Sequence, residues 1–206
     1  MAVVILCRRV EEPTERDWKS VKRVMCYLAA TITQNLRFSA SGDMRLECYV
    51  DVEWAGDKMD RKSISGYVFK LGNSVIAWSS TKQSIVALSS TVAEYVAASH
   101  AWRQLIWLRE LLAGVDILQQ SPTVFYEDNQ SCIRLVESES CSARTKHIDV
   151  RHHHLRDTRE QRILEMRSCP TDDIIADVLT KPLGKERFWK LIKQLGIKGE
   201  ANEGDM

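Results

Sequence analysis

The sequence predicts an α/β fold, with a five-stranded mixed sheet flanked by helices, and two patterns support this prediction. Apolar residues such as Leu46, Cys48 and Val50 alternate with more polar ones, which is the pattern of a half-buried strand. The pair Gly72-Asn73 favours a tight hairpin turn. Three strand patterns precede the first long helix and two follow it, so we expect three antiparallel strands and then parallel additions. The predicted strands are residues 46–53, 66–71, 74–80, 123–127 and 163–169.

Helical periodicity fills most of the remaining chain. Pro13 and Thr14 stand where helix starts are favoured, and a polar, glycine-containing break follows at residues 39–43. The predicted helices are residues 14–36, 91–112, 129–136, 144–162 and 172–180, with a final amphipathic helix around Phe188, Leu191, Ile192 and Leu195. We divide the chain into a helical segment 1–38, a main domain 39–183 and a C-terminal helix and tail 184–206.

Composition and charge limit the function classes. With 206 residues, 44% of them hydrophobic and 28% charged, the chain resembles an ordinary single-core protein and contains no membrane-spanning stretch. The apolar opening 2–7 is too short for a signal peptide, and six scattered cysteines without a C-x-x-C pair indicate reduced thiols. We therefore expect an intracellular protein, cytoplasmic or nuclear and not secreted, with no membrane partner. Because the net charge is only +1, nucleic-acid binding would need a local basic patch.

Four carboxylates stand where this architecture could bring them together, and the carboxyl ends of strands are where open α/β sheets build sites. They are Asp51 in the first strand, Glu94 early in the long helix, Asp128 after the fourth strand and Asp177 after the fifth. Each also has a structural interpretation. Asp51 would be an exposed strand residue, and Glu94 would form a capping box with Thr91. Asp128 would cap the next helix, and Asp177 would be a solvated helix residue.

Several segments connect these acids. They are Y-V-D-V-E-W-A-G-D (49–57), R-K-S-I-S-G-Y-V-F (61–69), A-W-S-S-T-K-Q (77–83), A-L-S-S-T-V-A-E-Y (87–95), D-N-Q-S (128–131), R-T-K-H-I-D-V-R (144–151) and A-D-V-L-T-K-P-L (176–183). In these segments and their order, the chain resembles the ribonuclease H domain of copia-type LTR retrotransposon Pol polyproteins. The resemblance implies a ribonuclease H-like fold and an enzyme that hydrolyses the RNA strand of RNA–DNA hybrids.

The resemblance also implies which residues are catalytic. The family's four acids fall on Asp51, Glu94, Asp128 and Asp177, in the order D-E-D-D, whereas transposases and integrases of the same fold use D-D-E. Val92 and Glu53 depart from the family's usual residues, but neither departure removes an expected metal ligand.

The cofactor implied by the resemblance is Mg²⁺, as two ions, with Mn²⁺ as the alternative and no small-molecule cofactor. Asp51 would bridge both ions, Glu94 and Asp128 would share one, and Asp177 would help to hold the other. We expect the four acids to be unpaired with lysine or arginine, so that their mutual repulsion is relieved by the ions.

Substrate contacts are expected beside the acids and in a basic segment, residues 144–167. The candidates are Ser90, Thr91, Asn129, Gln130, Lys146 and Arg151. The basic segment is either a phosphate-gripping helix or a solvated helix face, and the sequence leaves both interpretations open. Most of the six tryptophans are expected in the core, with Trp54 partly exposed.

The segment 1–38 resembles the end of the reverse transcriptase that precedes the ribonuclease H domain in such polyproteins. Its apolar stripe of Trp18, Val21, Met25 and Leu28 is too large for a lone helix to bury, so we expect it to dock on the main domain or to leave an exposed patch. The missing reverse transcriptase portion is therefore a candidate partner. Residues 1–12 show no amphipathic pattern and are expected to be poorly ordered.

Two other interpretations remain open beside the nuclease. One is a domesticated or degenerate retrotransposon fragment that binds nucleic acid or a protein partner without catalysis. The other is an unstable remnant that has lost the surface on which residues 14–36 once packed.

Deletion of residues 1–38 tests the predicted domain boundary. We expect the truncated protein to remain folded and to keep its activity, because all four acids and all five predicted strands lie beyond the cut. Circular dichroism and a hybrid-cleavage assay measure the two properties. An unfolded truncation product would show that the segment belongs to the core.

Overall fold

The computed structural model describes residues 2–7, 9–39, 43–138 and 149–199. The helices are α1 Ala2–Cys7, α2 Glu15–Ala30, α3 Ser90–Ala113, α4 Gln130–Glu137, α5 Asp149–Glu160, α6 Asp177–Thr180 and α7 Lys185–Gln194. The strands are β1 Gln34–Leu36, β2 Leu46–Glu53, β3 Ile64–Leu71, β4 Ser74–Lys82, β5 Thr123–Glu127, β6 Leu164–Ser168 and β7 Ile197–Gly199. A short 3₁₀ helix, Thr171–Asp173, precedes α6.

The main sheet has five strands in the order β4-β3-β2-β5-β6. The β2–β3 and β3–β4 pairs are antiparallel, and the β2–β5 and β5–β6 pairs are parallel. The predicted α/β class and mixed sheet are therefore confirmed. Gly72 begins the predicted hairpin turn with a φ of +55°, a conformation that glycine adopts without steric cost.

Each face of the sheet has its own hydrophobic core. On one face α3 packs against β2 and β3, and its residues 92–99 are all buried because α4 and α5 cover its other side. Tyr95, Phe69 and Phe125 are fully enclosed there. On the opposite face, Val68 packs with residues of α6 and α7 such as Leu191. The sheet is thus covered on both faces, as parallel pairing requires.

A glycine allows α6 to approach the sheet closely. Gly66 on β3 is paired with Asp51 on β2, and a Cβ atom at Gly66 would lie 2.6 Å from Cγ2 of Thr180 and 3.3 Å from the carbonyl oxygen of Ala176. These distances are shorter than an ordinary van der Waals contact. The absence of a side chain at Gly66 therefore lets α6 lie against the strand pair beside Asp51.

The structure corrects several predicted boundaries near the ends of the chain. The helix expected over residues 14–36 ends at Ala30, and β1 then pairs with β7 in a separate two-stranded antiparallel sheet. Neither three-residue strand was predicted, because so short a segment shows no alternation. The segment 1–12, expected to be poorly ordered, contains α1. The helix expected over residues 172–180 is divided into the 3₁₀ helix and α6.

The expectation that most tryptophans lie in the core is wrong, although Trp102 is partly buried against the α3 core. Trp78 and Trp107 are 58% and 54% exposed, although they lie within a strand and a helix, because each is on the side of its element turned away from the cores. Trp54 is exposed as expected. On α2, the side chains of Trp18 and Leu28 are exposed, and no residue of this helix is buried, so the N-terminal stripe is an exposed patch in the described structure.

Replacement of Gly66 tests the close approach of α6. We expect Gly66→Ala to lower the free energy of unfolding by about 1–3 kcal/mol, because the new methyl group overlaps the rigid, buried side chain of Thr180. Urea denaturation measures the change. Gly114→Ala is the control, since Gly114 has a φ of −64° and its nearest neighbour would be 3.4 Å from the new Cβ atom. Equal stability of the two variants would contradict the proposed packing.

Candidate active site

Three of the four predicted acids come together at the end of the sheet where β2 and β5 terminate. Asp51 lies near the carboxyl end of β2, Asp128 follows β5, and Glu94 lies in the second turn of α3. Because β2 and β5 are parallel neighbours, their carboxyl ends meet at one edge, and the N-terminus of α3 lies beside it. One carboxylate oxygen from each acid lies within 4.8 Å of the others.

The structural alternatives for these acids are wrong, because other residues fill those roles. Ser89 caps α3 by accepting a hydrogen bond from the backbone N–H of Val92, so Thr91 and Glu94 do not form a capping box. Asn129, and not Asp128, caps α4. Asp51 is almost fully buried and is not an exposed strand residue.

Asp177 is buried as the first residue of α6, which corrects its alternative as a solvated helix residue. It forms ion pairs with Lys181 and Arg187, and the ammonium of Lys181 also lies 2.7 Å from Oδ1 of Asp51. The expectation that all four acids are unpaired is therefore wrong for Asp51 and Asp177. Lys181 reaches both carboxylates because it stands four residues after Asp177, at the end of α6.

Glu127 is a buried acid beside this cluster that the sequence analysis missed. Its side chain is fully buried at the end of β5, where Oε1 accepts a hydrogen bond from the backbone N–H of Asn129 at 3.0 Å. A signal was present in the sequence. In a strand with alternating burial, Thr123, Phe125 and Glu127 share the inner face.

The pKa values of the buried carboxyl groups are raised. Burial raises the pKa of Asp51 to about 7, although Lys181 opposes the shift. Burial, and then the nearby charge of Glu127, raise the pKa of Glu94 well above its ordinary value. Burial also raises the pKa of Glu127 to about 8, against the hydrogen bond from Asn129. Glu94 on α3 and Glu127 on β5 form the α3–β5 side of the cluster, and their raised pKa values oppose full ionisation of this side.

The donor set at Asp51, Glu94 and Asp128 fits a hard divalent cation. Oε2 of Glu94 is buried and has no hydrogen-bond partner among the residues that the structure describes, and the same holds for Oε2 of Glu127. Buried carboxylate oxygens without a donor are costly, and a cation with a preference for oxygen ligands would compensate for that cost.

The predicted substrate contacts are only partly within the described structure. Ser90 and Thr91 are half-buried at the start of α3, beside Glu94. The side-chain oxygen of Asn129 accepts the capping hydrogen bonds of α4, and Gln130 donates to Ser168. Lys146 lies outside the described residues. The backbone of Arg151 belongs to α5, but its side chain is outside what the structure describes.

This fold and its acid cluster define a class of protein. LC11 ribonuclease H1, isolated from compost by a metagenomic approach, has a TM-score of 0.50 with this chain and is 19% identical, covering 72% of this chain and 99% of its own. The chain therefore has the ribonuclease H fold. None of the protein-family models compared with the chain matches it. Among the described residues, we find no helix with the length and hydropathy needed to cross a membrane.

Relatives by sequence define the family. The Pol polyprotein from transposon TNT 1-94 of Nicotiana tabacum is 39% identical over 194 residues, and that from transposon RE2 of Arabidopsis thaliana is 35% identical over 196 residues. These matches cover 94% and 95% of this chain but only 14% of each polyprotein. The secreted RxLR effector protein 161 of Plasmopara viticola is 44% identical over 107 residues, which are 52% of this chain and 75% of that protein. The chain belongs to the family of retrovirus-related Pol polyproteins from transposons, and it corresponds to their ribonuclease H domain.

The raised pKa values predict that the metal-free protein loses stability as the pH rises. A carboxyl group with a raised pKa in the folded state contributes stability that is complete below its ordinary pKa. That contribution is lost as the pH rises through the pKa that the group has in the folded protein, which is about 7 for Asp51 and about 8 for Glu127. We expect the free energy of unfolding to fall between pH 5 and pH 8, by on the order of 2 kcal/mol.

Urea denaturation at both pH values, in the presence of a chelator, measures this fall. Glu127→Gln should reduce the fall, because the amide cannot ionise while its oxygen still accepts from Asn129. Glu165→Gln is the control, since Glu165 is exposed on β6 and pairs with Arg167 at the surface. A stability that rises with pH in the wild-type protein would contradict the prediction.

Proposed function

We propose that the protein hydrolyses the RNA strand of RNA–DNA hybrids with divalent metal ions held by its acid cluster, as in retrotransposon reverse transcription. The observation that carries the proposal is the convergence of Asp51, Glu94 and Asp128 within 4.8 Å. These carboxylates come from β2, α3 and the end of β5, so the sheet and the helix fix their positions. Similarity to the Pol polyproteins supports the proposed substrate class, and the partly buried cluster is the proposed place of the reaction.

The proposed cofactor is Mg²⁺, as two ions, with Mn²⁺ as the alternative. Asp51, Glu94 and Asp128 would hold one ion, and Asp51 with Asp177 would hold the other. Bound cations of this kind lower the pKa of a coordinated water and neutralise the charge that develops on the phosphate. Thr171 donates a 2.7 Å hydrogen bond to Oδ2 of Asp128 and so orients this less buried ligand.

Substrate recognition is proposed for the rim of the cluster. Ser90 and Thr91, at the start of α3, are close to Glu94 and carry the hydroxyl groups needed to contact ribose 2′-hydroxyls in a wide minor groove. Gln130 is proposed as a contact at the start of α4, and Lys146 and Arg151 are kept as candidate contacts from the sequence. Asn129 is retained as a contact only through its amide nitrogen, because its oxygen is used by the cap of α4.

A location inside the cell, cytoplasmic or nuclear, is part of the proposal. Five cysteines of the described residues are free, which is typical of a reducing compartment. We also propose that the exposed stripe on α2 packs against the reverse transcriptase portion of a longer chain. Exposure of Trp18, Met25 and Leu28 by 59–61% supports this proposal, since such a patch commonly marks an interface.

Asp128→Asn tests the catalytic assignment. We expect cleavage of a labelled RNA–DNA hybrid in Mg²⁺ to fall below about 1% of the wild-type rate, because the amide is a poor metal ligand. The free energy of unfolding without metal should be unchanged or higher, since one of several mutually repelling acids is removed. Gel analysis of the products and urea denaturation measure the two effects.

Asp116→Asn is the matched control. Asp116 lies in a turn after α3 with a φ of +62°, which asparagine also tolerates, and this variant should cleave like the wild-type protein. A folded wild-type protein that binds the hybrid in Mg²⁺ without cutting it would refute the nuclease and favour the non-catalytic binding module. A large loss of stability in Asp128→Asn would show that Asp128 has a structural role.

A further inference from the structure

The side chain of Lys181 lies between two of the acids proposed as metal ligands. Its ammonium is 2.7 Å from Oδ1 of Asp51 and 3.1 Å from Oδ1 of Asp177. The second oxygen of Asp51 accepts a hydrogen bond from Thr180, and that of Asp177 accepts one from Arg187. All four carboxylate oxygens of this pair therefore have a donor from the protein itself.

The other side of the cluster is different. Oε2 of Glu94 is buried without a hydrogen-bond partner in the described part of the chain. Asp128 is paired with no lysine or arginine there and accepts instead from the neutral hydroxyl of Thr171. The Asp51–Asp177 side is thus neutralised from within, while the Glu94–Asp128 side is not.

The position of Lys181 is fixed by its local sequence. Lys181 ends α6, and its backbone N–H donates to the carbonyl oxygen of Asp177 at 3.0 Å. Pro182 follows and disfavours a helical conformation at Lys181, whose φ of −117° and ψ of 146° are extended. The chain therefore turns at Lys181, and its side chain extends back over the first turn of α6 towards Asp51.

We propose that Lys181 is a built-in competitor for the second divalent cation, the one that Asp51 and Asp177 would share. This inference rests on the proposed function, because it concerns the metal ligands of that site. The free protein then binds one ion tightly at Asp51, Glu94 and Asp128. A second ion binds only when the ammonium of Lys181 leaves Oδ1 of Asp51 and Oδ1 of Asp177, because the ammonium and a divalent cation would repel each other strongly if both contacted these two oxygens.

Departure of the ammonium is physically accessible. The side chain of Lys181 is 30% exposed, so it has a route to solvent. Its flexible four-carbon chain lets the ammonium move away without breaking a rigid, two-donor contact of the kind that arginine forms. Arg187 stays on the far oxygen of Asp177 and keeps this carboxylate oriented when Lys181 has left. Occupancy of the second metal position thereby becomes a competition between an internal ammonium and an external divalent cation.

Metal titration of the whole chain tests this inference without any measurement of activity. Mn²⁺ is added to the wild-type protein and to Lys181→Gln, and free Mn²⁺ is counted by electron paramagnetic resonance. We expect the first dissociation constant to change less than the second, because Asp51 is the one ligand of the first site that Lys181 contacts. The second should be at least about tenfold tighter in Lys181→Gln, since the competing charge is gone. Lys181→Arg should keep the weak second site.

Lys190→Gln is the matched control, because Lys190 forms its ion pair with the exposed Asp173, away from Asp51. It should leave both dissociation constants at their wild-type values. Equal second dissociation constants in the wild-type protein and Lys181→Gln would overturn the inference. If the second site is tighter in Lys181→Gln but the folded wild-type protein cleaves no hybrid, the inference is supported and the proposed nuclease is refuted.

A second measurement on the wild-type protein covers the case in which Lys181→Gln does not fold. The ¹⁵N ammonium resonance of Lys181, held by two carboxylates, should be visible by NMR in the metal-free protein. It should persist through the first equivalent of Mg²⁺ and disappear as the second site fills. Loss of this signal with the first equivalent, or its persistence at saturation, would overturn the inference.

Discussion

Where β2 and β3 pair at Asp51 and Gly66, the missing side chain of the glycine lets α6 lie against the sheet, and the position of Asp177 and Lys181 relative to Asp51 depends on this contact. Asp51 itself is fixed by the strand register. Asp177 is the first residue of α6, and Lys181 is its C-cap. Both reach Asp51 only because Gly66 permits a short distance between α6 and the sheet. The buried Thr180 both fills the space above Gly66 and donates to Asp51, so packing and polar contact are provided by one residue.

The distribution of charge follows from this packing. Asp51, Glu94, Glu127 and Asp177 are all buried, and burying several carboxylates together is unfavourable unless cations or protons compensate. On the α6 side the compensation is internal, from lysine and arginine. On the α3–β5 side the pKa values are raised because burial and like charges act without such a partner. An external cation therefore binds most favourably between α3 and β5, where no lysine or arginine of the described residues pairs with the acids. The fold thus makes the α6 side and the α3–β5 side of the site unequal in charge.

The sequence predicted the fold and the positions of the acids better than their surroundings. Alternation along β2 and β5 and the Gly72 turn are local signals, so the strands and their order could be inferred without the structure. The partners of Asp177 could not, because the ion pair with Arg187 depends on how α7 packs back onto α6. Exposure of Trp78 depends on which side of an edge strand is covered, and no periodicity reports this. Glu127 is a different case, because the alternation along β5 is a local signal that already places this acid on the inner face.

The small β1–β7 sheet connects the N-terminal segment to the same part of the molecule. β7 follows α7, and α7 carries Arg187, so the pairing of Gln34–Leu36 with Ile197–Gly199 links α2 to an element that orients Asp177. The link is not the main anchor of α7, however. Leu191 and Ile192 are buried in the second core against residues of β3 and α6, and this burial holds the helix through its own apolar face. Because α2 buries no residue of its own, the β1–β7 pairing is the described contact that joins the N-terminal segment to α7, and the stripe on α2 stays exposed.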